Sequence, residues 1–507
     1  MAQFEENCEI SESDELGRYL VAKRDLPRGQ QILVEQPIVI GPYWDSEICC
    51  LNCFRNSCTI CRKCKRAPLC FDCTDHDECE CEFYRSSGLD INFLFDHFNV
   101  VTPVRGVLLA QSNRAKFDEM MGMEAHLSAR RNTDIWNAHE RKIVQPLVES
   151  KAFAKMENPS LTGELIQQIC GFFDVNAFEI RGQMDDQGMQ IDNMVRGLYP
   201  KAALMAHNCV SNTLISVDGN ANLRLYTTVP VKKGEMLQYN YTRSLFGTFE
   251  RRAHLKLGKY FVCKCSRCED PTELGTHLSS LYCTGCDGGL CSYFANEDKW
   301  MCNNCHQQLG GDYVKQVFVA ARKEAMMCSV DIDELERIIA KHSTTLNPRN
   351  SVVLELKQIL AGELRNLCLS SHASNVPKQL LQRKFELCEE MLEVLRILEP
   401  GISRLNGIAL YEYNVALWDL SRKNFESKEV NTKTLLENLA KAETGLKESI
   451  SMLLFEHPTT PEGQLTKRAL RDLKELREEL AQVQEMVIED EKEHDFKGHN
   501  QNSNKKR

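Results

Sequence analysis

Cysteine spacing is the feature of this 507-residue chain that most directly predicts chemistry, because 24 of its residues are cysteines. The segment 49–81 contains three pairs with the spacing C-x-x-C, and His76 follows the third pair. Such a pair directs two thiolates at one ion, and two pairs complete a tetrahedral zinc site. The segment is too short to build an apolar core, so bound metal would supply its folding energy. Its predicted zinc ligands are Cys50, Cys53, Cys61, Cys64, Cys70, Cys73, His76, Cys79 and Cys81, the last two being alternatives.

Two more cysteine groups lie beyond this segment. Cys263, Cys265 and Cys268 supply three close thiolates, so a fourth ligand has to come from a distant residue. The other group has the spacing of a zinc ribbon, two C-x-x-C pairs around a glycine-rich stretch, and is complete by itself. Its predicted ligands are Cys283, Cys286, Cys302 and Cys305. The cysteines left over from these sites, which are expected to be free thiols, are Cys49, Cys58 and Cys291.

The composition argues against several classes of function. Hydrophobic residues make up 42% of the chain and charged residues 26%, and no window approaches 18 consecutive apolar residues, so we expect no membrane span. The N-terminal segment is acidic and polar, unlike a secretory signal, so we expect reduced cysteines and a protein of the cytoplasm, the nucleus or both. The net charge of −10 argues against direct DNA binding.

The elements that must position these groups differ along the chain. Residues 16–40 and 223–241 each contain two β-branched runs around a glycine turn, which predicts one β-rich unit with material inserted between them. Residues 89–182 are predicted to be mostly helical. From about residue 312, apolar residues recur at spacings of three and four, which predicts amphipathic helices in either a repeat array or a plain bundle. The polar tail 490–507 is predicted to be disordered. We therefore predict a multi-domain α+β fold.

Several segments together resemble the SET-and-MYND family of protein-lysine methyltransferases. They are the Gly17-Arg18-Tyr19-Leu20 turn followed by RDLPRGQQILVE, LYPKAALMAHNCVSNT at 198–213, GEMLQYNYT, and GTFERRAHLKLGKYFVCKCSRC. The first cysteine-rich segment is similar to a MYND zinc finger, and the zinc-ribbon-like segment resembles the arthropod-type branch of the family. The helical C-terminal third also resembles the family, so the resemblance covers nearly the whole chain.

The resemblance implies a β-rich SET core that is interrupted by a zinc finger and a helical insert and followed by cysteine-rich and helical parts. The implied segments are 1–48 (N-terminal part of the SET domain), 49–81 (MYND-type zinc finger), 82–190 (helical SET insert), 191–245 (C-terminal part of the SET core), 246–311 (post-SET and zinc-ribbon-like segment), 312–489 (α-helical C-terminal domain) and 490–507 (disordered tail).

The resemblance also implies an activity, protein-lysine N-methylation of histone or non-histone proteins, with S-adenosyl-L-methionine and about four structural zinc ions as cofactors. In-line methyl transfer needs a neutral acceptor amine, whose pKa in water is about 10.4. A narrow aromatic channel lowers that pKa by desolvation and aligns the reacting atoms. Lysine-bearing proteins would be the substrates, and the finger would bind proline-rich peptides. We also expect a monomer.

Matching the family's motifs residue by residue gives a candidate site. Tyr241 corresponds to the active-site tyrosine, which orients the methyl group and the amine. Cys209 corresponds to the missing fourth ligand of the later cysteine triplet, whose ion would hold the loop after the SET core against the cavity. Phe178 and Tyr239 are assigned to the substrate channel, although Tyr239 also fits a packing role. The residues expected to contact the cofactor are Arg18, Tyr19, Asn176, His207, Tyr241 and Phe261.

Four residues depart from the family's pattern and leave a second function open. Ala206 replaces an Asn near the cofactor, Ser211 replaces a Pro, and Tyr19 replaces a Gly. Lys259 stands where many relatives have a second channel tyrosine. These changes favour the alternative of a catalytically weak scaffold that binds protein partners. An open cavity beside Tyr19 and Lys259 would favour the enzyme.

Overall fold

A computed structural model describes residues 2–154, 162–181, 195–328, 331–370 and 376–504 of the chain. The strands are β1 Cys8–Ser13, β2 Gly17–Ala22, β3 Gln31–Glu35, β4 Val39–Pro42, β5 Thr59–Ile60, β6 Pro68–Leu69, β7 Phe178–Ile180, β8 Val195–Leu198, β9 Ala206–His207, β10 Thr213–Val217, β11 Leu223–Thr227, β12 Gln238–Tyr239, β13 Leu281–Tyr282, β14 Leu290–Phe294, β15 Lys299–Cys302 and β16 Gln308–Leu309.

Helices predominate outside the β-rich unit and toward the C-terminus. The α-helices are α1 Ala2–Asn7, α2 Glu78–Ser86, α3 Phe93–Asp96, α4 Val101–Ser112, α5 Arg114–Met121, α6 Leu127–Arg130, α7 Asp134–His139, α8 Gln145–Glu149, α9 Gly163–Asn176, α10 Thr248–Gly258, α11 Ser266–Glu269, α12 Gly311–Met327, α13 Ile332–His342, α14 Ser351–Ser370, α15 Lys378–Leu398, α16 Arg404–Glu426, α17 Thr432–Leu453 and α18 Pro461–Asn504. Short 3-10 helices span Phe98–Val100 and Ala202–Leu204, and a π-helix spans Glu140–Val144.

The two separated β segments form one unit, which confirms the prediction from their sequence. β3 pairs antiparallel with β11, and β10 completes this sheet on the other side of β11. The turns that lead into β3 and β12 each pass through a glycine with positive φ, Gly29 at 79° and Gly234 at 87°. A side chain at either position would be strained, so glycine is what permits both reversals.

A short parallel pair of strands lies at the centre of this unit. β9 pairs with β12, so that Ala206 lies opposite Gln238 and His207 opposite Tyr239. Buried apolar side chains from several strands, among them Leu20 and Leu225, pack into one core around it. The pairing brings the chain at His207 next to the chain that leads to residue 241, although the two are far apart in sequence.

The material inserted between β4 and β8 folds onto a core of its own. Leu51 and Leu69 of the cysteine-rich segment are buried together with Val104 of α4 and with Ile166 and Phe172 of α9. The small segment is therefore stabilised by apolar contacts with the helices, in addition to any metal that it binds. This arrangement fixes the segment against the rest of the insert.

The described residues of the stretch 89–182 are mostly helical, as predicted, except at the C-terminal end of the stretch. Helix α9 ends at Asn176, and the next residues form β7, which pairs with β8. The sheet hydrogen bonds of β7 outweigh a continued helix, and Phe178 is an aromatic residue that suits a strand. Residues 182–190 of the predicted insert lie outside the described residues.

The zinc-ribbon-like segment is a four-stranded antiparallel sheet, β13 to β16. Its inner face carries Tyr293 and Trp300, which are buried against Phe249 of α10 and Phe318 of α12. The segment therefore joins the part of the chain before it to the helical region after it. From α14 onward, helices that follow one another in the chain pack on each other, which is the neighbour-to-neighbour pattern of a repeat array.

The prediction of a disordered tail over 490–507 is wrong as far as Asn504, because α18 continues to that residue. The tail contains no proline, so it can prolong a helix that has already started. Residues 505–507 lie outside the described residues. Among the helices of the described ranges, none is both long and apolar enough to cross a membrane.

The close approach of α16 and α17 generates a stability prediction. A Cβ atom added at Gly445 would lie 2.2 Å from both Asn414 side-chain polar atoms, and Asn414 is buried. We expect Gly445→Ala to destabilise the protein by about 1–3 kcal/mol, because the helices would have to separate. Gly362→Ala on α14 is the matched control: nothing lies within 4 Å of its Cβ position, so the substitution should be neutral or stabilising by up to about 1 kcal/mol. Calorimetric unfolding midpoints of the two variants measure this, and equal midpoints would contradict it.

Candidate functional site

The cysteine triplet after α10 is completed by Cys209, which follows β9. The Cys209 sulfur lies 4.0 Å from that of Cys263 and 3.5 Å from that of Cys268, and the metal-binding atoms of all four cysteines, Cys265 included, lie within 4.8 Å of one another. The structure thus brings together the ligand set that the family resemblance implies. The group connects the parallel pair β9–β12 to the segment that follows α10.

A buried arginine compensates the charge of this group. Four thiolates around a divalent ion carry a net charge of −2, and the Arg251 Nε atom donates to the Cys209 sulfur at 3.1 Å. The same side chain pairs with the buried Glu273 at 2.8 Å. Burial opposes the charge of Arg251, but Glu273 and the sulfurs hold its pKa above the usual value. The guanidinium therefore stays charged beside the sulfurs.

The first cysteine-rich segment contains two groups of four ligands. One group is Cys50, Cys53, Cys70 and Cys73, and the other is Cys61, Cys64, His76 and Cys81. Among the described residues, Cys79 belongs to none of the groups, so its assignment as a ligand is wrong. Cys79 and Cys81 both lie on helix α2, where residues two apart point about 200° from one another, and only Cys81 faces the ion site.

His76 of the second group is held by a buried chain of polar contacts. Its Nδ1 atom lies 3.1 Å from Glu80, and Glu80 is paired with Arg105 at 2.9 Å. Arg105 also donates to the backbone carbonyls of Ile40 and Leu51, at 2.9 and 2.5 Å. A carboxylate on the distal nitrogen fixes the orientation of a metal-binding histidine. The contacts of Arg105 extend this support to strand β4.

The ribbon group forms as the spacing predicts. The Cys283 sulfur lies 3.6 Å from that of Cys305, and the Cys286 sulfur lies 3.6 Å from that of Cys302. Cys291 lies opposite Cys302 in the sheet but outside the group. It is buried, in agreement with its expected role as a bystander.

The donor sets and their spacing fit zinc. Two sulfurs bound to a tetrahedral zinc ion at about 2.3 Å are about 3.8 Å apart. The closest sulfur–sulfur distances in the four groups range from 3.5 to 3.8 Å, the longest being that between Cys61 and Cys81. These distances are far longer than a disulfide bond of about 2.05 Å. All four groups can therefore hold a structural zinc ion.

A cavity of about 1780 Å³ lies beside the Cys209 group. Every residue that the sequence assigns to cofactor or substrate lines it: Arg18, Tyr19, Asn176, Phe178, His207, Tyr239, Tyr241 and Phe261. Tyr19 and Lys259, which depart from the family's pattern, line the cavity without filling it. The space is larger than a pocket of about 300–1,000 Å³ needs to be for one small ligand. It has room for a ligand and for a side chain of a second molecule.

Tyr241 and His207 are fixed together on the wall of this cavity. The Tyr241 backbone amide donates to His207 Nδ1 at 3.1 Å, and its hydroxyl donates to the carbonyl of Met205. Burial lowers the pKa of His207 to about 4, so the ring is neutral and its Nε2 proton faces the Cys209 sulfur at 3.4 Å. Burial raises the pKa of Tyr241, so its hydroxyl stays protonated at neutral pH.

Aromatic rings follow one another along the cavity wall. The Tyr239 ring centroid lies 6.5 Å from that of Tyr241 and 6.0 Å from that of Phe178. Phe261 lies on the other side of the His207 ring, at 5.7 Å. Tyr239 thus lines the cavity and also packs between neighbours, so both roles that its sequence suggests are compatible with its position.

Two parts of the cavity were missed from the sequence. A loop between α5 and α6 contributes backbone carbonyls: Gly122 accepts from Arg18 at 2.6 Å, and Glu124 accepts from Asn176 at 2.8 Å. The C-terminal helical region contributes Arg404 to the lining of the cavity. A backbone carbonyl can belong to any residue type, so the sequence does not indicate these acceptors. No sequence motif indicates that the helical region reaches this site.

Comparison with known proteins shows what the chain is similar to. Residues 17–242 match the family model of the SET domain. The SET domain-containing protein SmydA-8, isoform A, of Drosophila melanogaster is 29% identical over 322 residues, which cover 60% of this chain and 66% of that protein. The chain thus spans slightly less than two thirds of the length of this relative.

Two further relatives are more distant. The histone-lysine N-methyltransferase SET5 of Saccharomyces cerevisiae is 23% identical, with 55% of this chain and 63% of that protein aligned. A SET and MYND domain-containing protein of Dictyostelium discoideum is 22% identical, with 54% of this chain and 86% of that protein aligned.

The position of Cys79 outside the ligand groups generates a test by metal content. We expect the protein purified with zinc to contain about four ions per chain, one for each group of four ligands. Cys81→Ser should remove about one ion, whereas Cys79→Ser should remove none, since only Cys81 faces the ion. Elemental analysis by mass spectrometry measures both variants. Equal zinc loss from the two would contradict this assignment.

The contact between Glu80 and His76 generates a test by metal affinity. Glu80→Gln should speed the release of one zinc ion to a chelator by about 10- to 100-fold, because the supporting carboxylate of a ligand histidine is lost. Glu82→Gln is the matched control on the same helix, since Glu82 is exposed and pairs with Arg85. A colorimetric zinc indicator follows the release, and identical rates for the two variants would argue against the support role.

Proposed function

The chain belongs to the SET and MYND family of SET-domain proteins, and on this premise we propose that it is an S-adenosylmethionine-dependent protein-lysine N-methyltransferase of histone or non-histone proteins. The observation that carries the proposal is the position of Tyr241, which lines a cavity next to the Cys209 group. Family membership supports methyl transfer, and the name of the yeast relative supports lysine as the acceptor.

The residues of the cavity fit the cofactor. Phe261 offers an aromatic face for a purine, and His207 beside it is neutral, so neither repels the sulfonium charge. Arg18 and Tyr19 would lie at the methionine end, where the Arg18 side chain is held by the Gly122 carbonyl. Aromatic walls favour a sulfonium cation by cation–π attraction. S-adenosylmethionine would supply an activated methyl group on that sulfonium.

The chain's own residues would prepare the acceptor. An acceptor lysine enters between Phe178, Tyr239 and Tyr241, whose rings exclude water and so lower the pKa of its amine. The Tyr241 hydroxyl donates a hydrogen bond to the backbone carbonyl of Met205, so the hydroxyl oxygen is free to accept a hydrogen bond from the amine. This contact would hold the nitrogen lone pair toward the methyl group. The reaction then needs no covalent enzyme intermediate.

The alternative function is a scaffold that binds proteins with little turnover. It is favoured by the ammonium of Lys259, which lies 5.7 Å from the centre of the Tyr241 ring and places a positive charge where a lysine would enter. In that case the finger would bind proline-rich peptides, and its Phe71 ring, 81% exposed, is available for such contacts. Cofactor binding distinguishes the two functions, because a scaffold does not require it.

Replacement of Tyr241 tests the enzyme. We expect Tyr241→Phe in the zinc-loaded protein to reduce methyl transfer by about 100-fold or more, because the acceptor amine loses its positioning contact. Binding of S-adenosylhomocysteine should change little. Transfer of a radiolabelled methyl group from S-adenosylmethionine to bulk histones and to a protein extract measures the first effect, and titration calorimetry measures the second.

Tyr226→Phe is the matched control. Tyr226 lies on β11, its hydroxyl contacts Gln31, and its ring packs on Phe455 outside the cavity, so its loss should leave turnover unchanged. A wild-type protein that binds no S-adenosylhomocysteine would refute the enzyme and leave the scaffold. Binding without any transfer to either protein mixture would also favour the scaffold.

A further inference from the structure

Lys259 occupies the junction between helix α10 and the segment that covers the cavity. It caps the C-terminus of α10, and the chain then reverses through Tyr260, which has a φ of 63°. Residues 261–264 follow without regular structure and lead into the cysteine group. The segment between Lys259 and Cys263 carries Phe261, which faces the cavity.

The Lys259 side chain crosses from this segment to the insert. Its Nζ atom donates to the backbone carbonyls of Val175 at 2.5 Å and Asp174 at 3.2 Å. Both carbonyls belong to the last turn of α9, where the helix leaves its acceptors unpaired and where the helix dipole attracts a cation. The lysine therefore supplies to α9 the partners that its C-terminus lacks.

Charged and titratable groups around Lys259 are few. The Asp174 carboxylate attracts the ammonium and the Arg196 guanidinium repels it, and His126, His207 and His254 lie near enough to be affected by it. Burial lowers the pKa of Lys259 to about 8, and both its ammonium and its neutral amine can donate to the carbonyls. The contact with α9 therefore does not depend on one protonation state.

Between its two ends the covering segment makes ring contacts: Tyr260 lies 5.1 Å from His126, and Phe261 lies 5.7 Å from His207. Phe261 is 36% exposed and Val262 is 40% exposed, so neither is anchored by burial. The Cys209 group holds the segment at Cys263, and Lys259 holds it at the other end. The Lys259 ammonium also lies over the ring of Tyr241, 5.7 Å from its centre, on the wall of the cavity.

We propose that Lys259 is a positioning residue that ties the covering segment 259–264 to the C-terminus of α9 and so sets the place of Phe261 over the cofactor cavity. The inference rests on the proposed function only where cofactor affinity is concerned. The tie, meaning the hydrogen bonds from Lys259 to the carbonyls of Asp174 and Val175, does not depend on that function. Lysine at this position thus supplies a structural contact between the covering segment and α9.

Local hydrogen exchange and ligand binding test the tie in the zinc-loaded full chain. Lys259→Met should raise the exchange rates of amides in 259–264 by about tenfold and weaken S-adenosylhomocysteine binding by about fivefold, because the segment is released from α9. Lys259→Arg should keep most of the exchange protection and most of the binding affinity, since a guanidinium can reach the same carbonyls. Lys256→Met on the exposed side of α10 is the matched control and should change neither.

Peptides from the sheet β10–β11 provide an internal reference for stability. Faster exchange in 259–264 with unchanged exchange in the reference supports the tie. Unchanged exchange in 259–264 overturns it, and so does an equal rise in both regions, which would indicate a general loss of stability. If wild type shows no S-adenosylhomocysteine binding, the proposed function fails, whereas the exchange data still decide the tie.

Discussion

The sulfur group of Cys209 and the triplet after α10 joins the parallel pair β9–β12 to the segment that follows α10. Cys209 follows the parallel pair β9–β12, and the triplet begins at Cys263. The side chain of His207 contacts the Cys209 sulfur, and the amide of Tyr241 contacts His207. The cysteine group therefore determines where Tyr241 stands relative to the segment that covers the cavity.

The buried arginines beside these sites stabilise them only when each guanidinium has its partners. Arg251 and Arg105 are both buried or nearly so, and each pairs with a buried carboxylate. Such pairs repay the cost of desolvation only when every partner is in place. The sulfurs beside Arg251 are among those partners. The pairing of Arg251 with Glu273 and the binding of an ion by the sulfurs would consequently depend on one another.

Sequence reasoning identified the ligand groups because C-x-x-C spacing is a local pattern, and it identified the β unit because glycine turns between β-branched runs are local too. It required a family resemblance to find Cys209, since nothing near that residue indicates where its partners lie. It left Cys79 and Cys81 undecided because the choice depends on which face of α2 meets the ion. The backbone acceptors at Gly122 and Glu124 have no sequence signal, and the role of Lys259 depends on the distant end of α9.

The four groups differ in how well water reaches them. In the ribbon Cys305 is exposed and Cys283 and Cys286 are half-buried, whereas all four ligands around His76 are buried. In a cell that buffers zinc at scarce levels, the ribbon would exchange its ion with competing thiols first. Its aromatic face packs on α12 at the start of the helical region, and that region later contributes Arg404 to the cavity. Zinc supply would therefore act on the packing of the ribbon against α12 earlier than on the segment that carries His76.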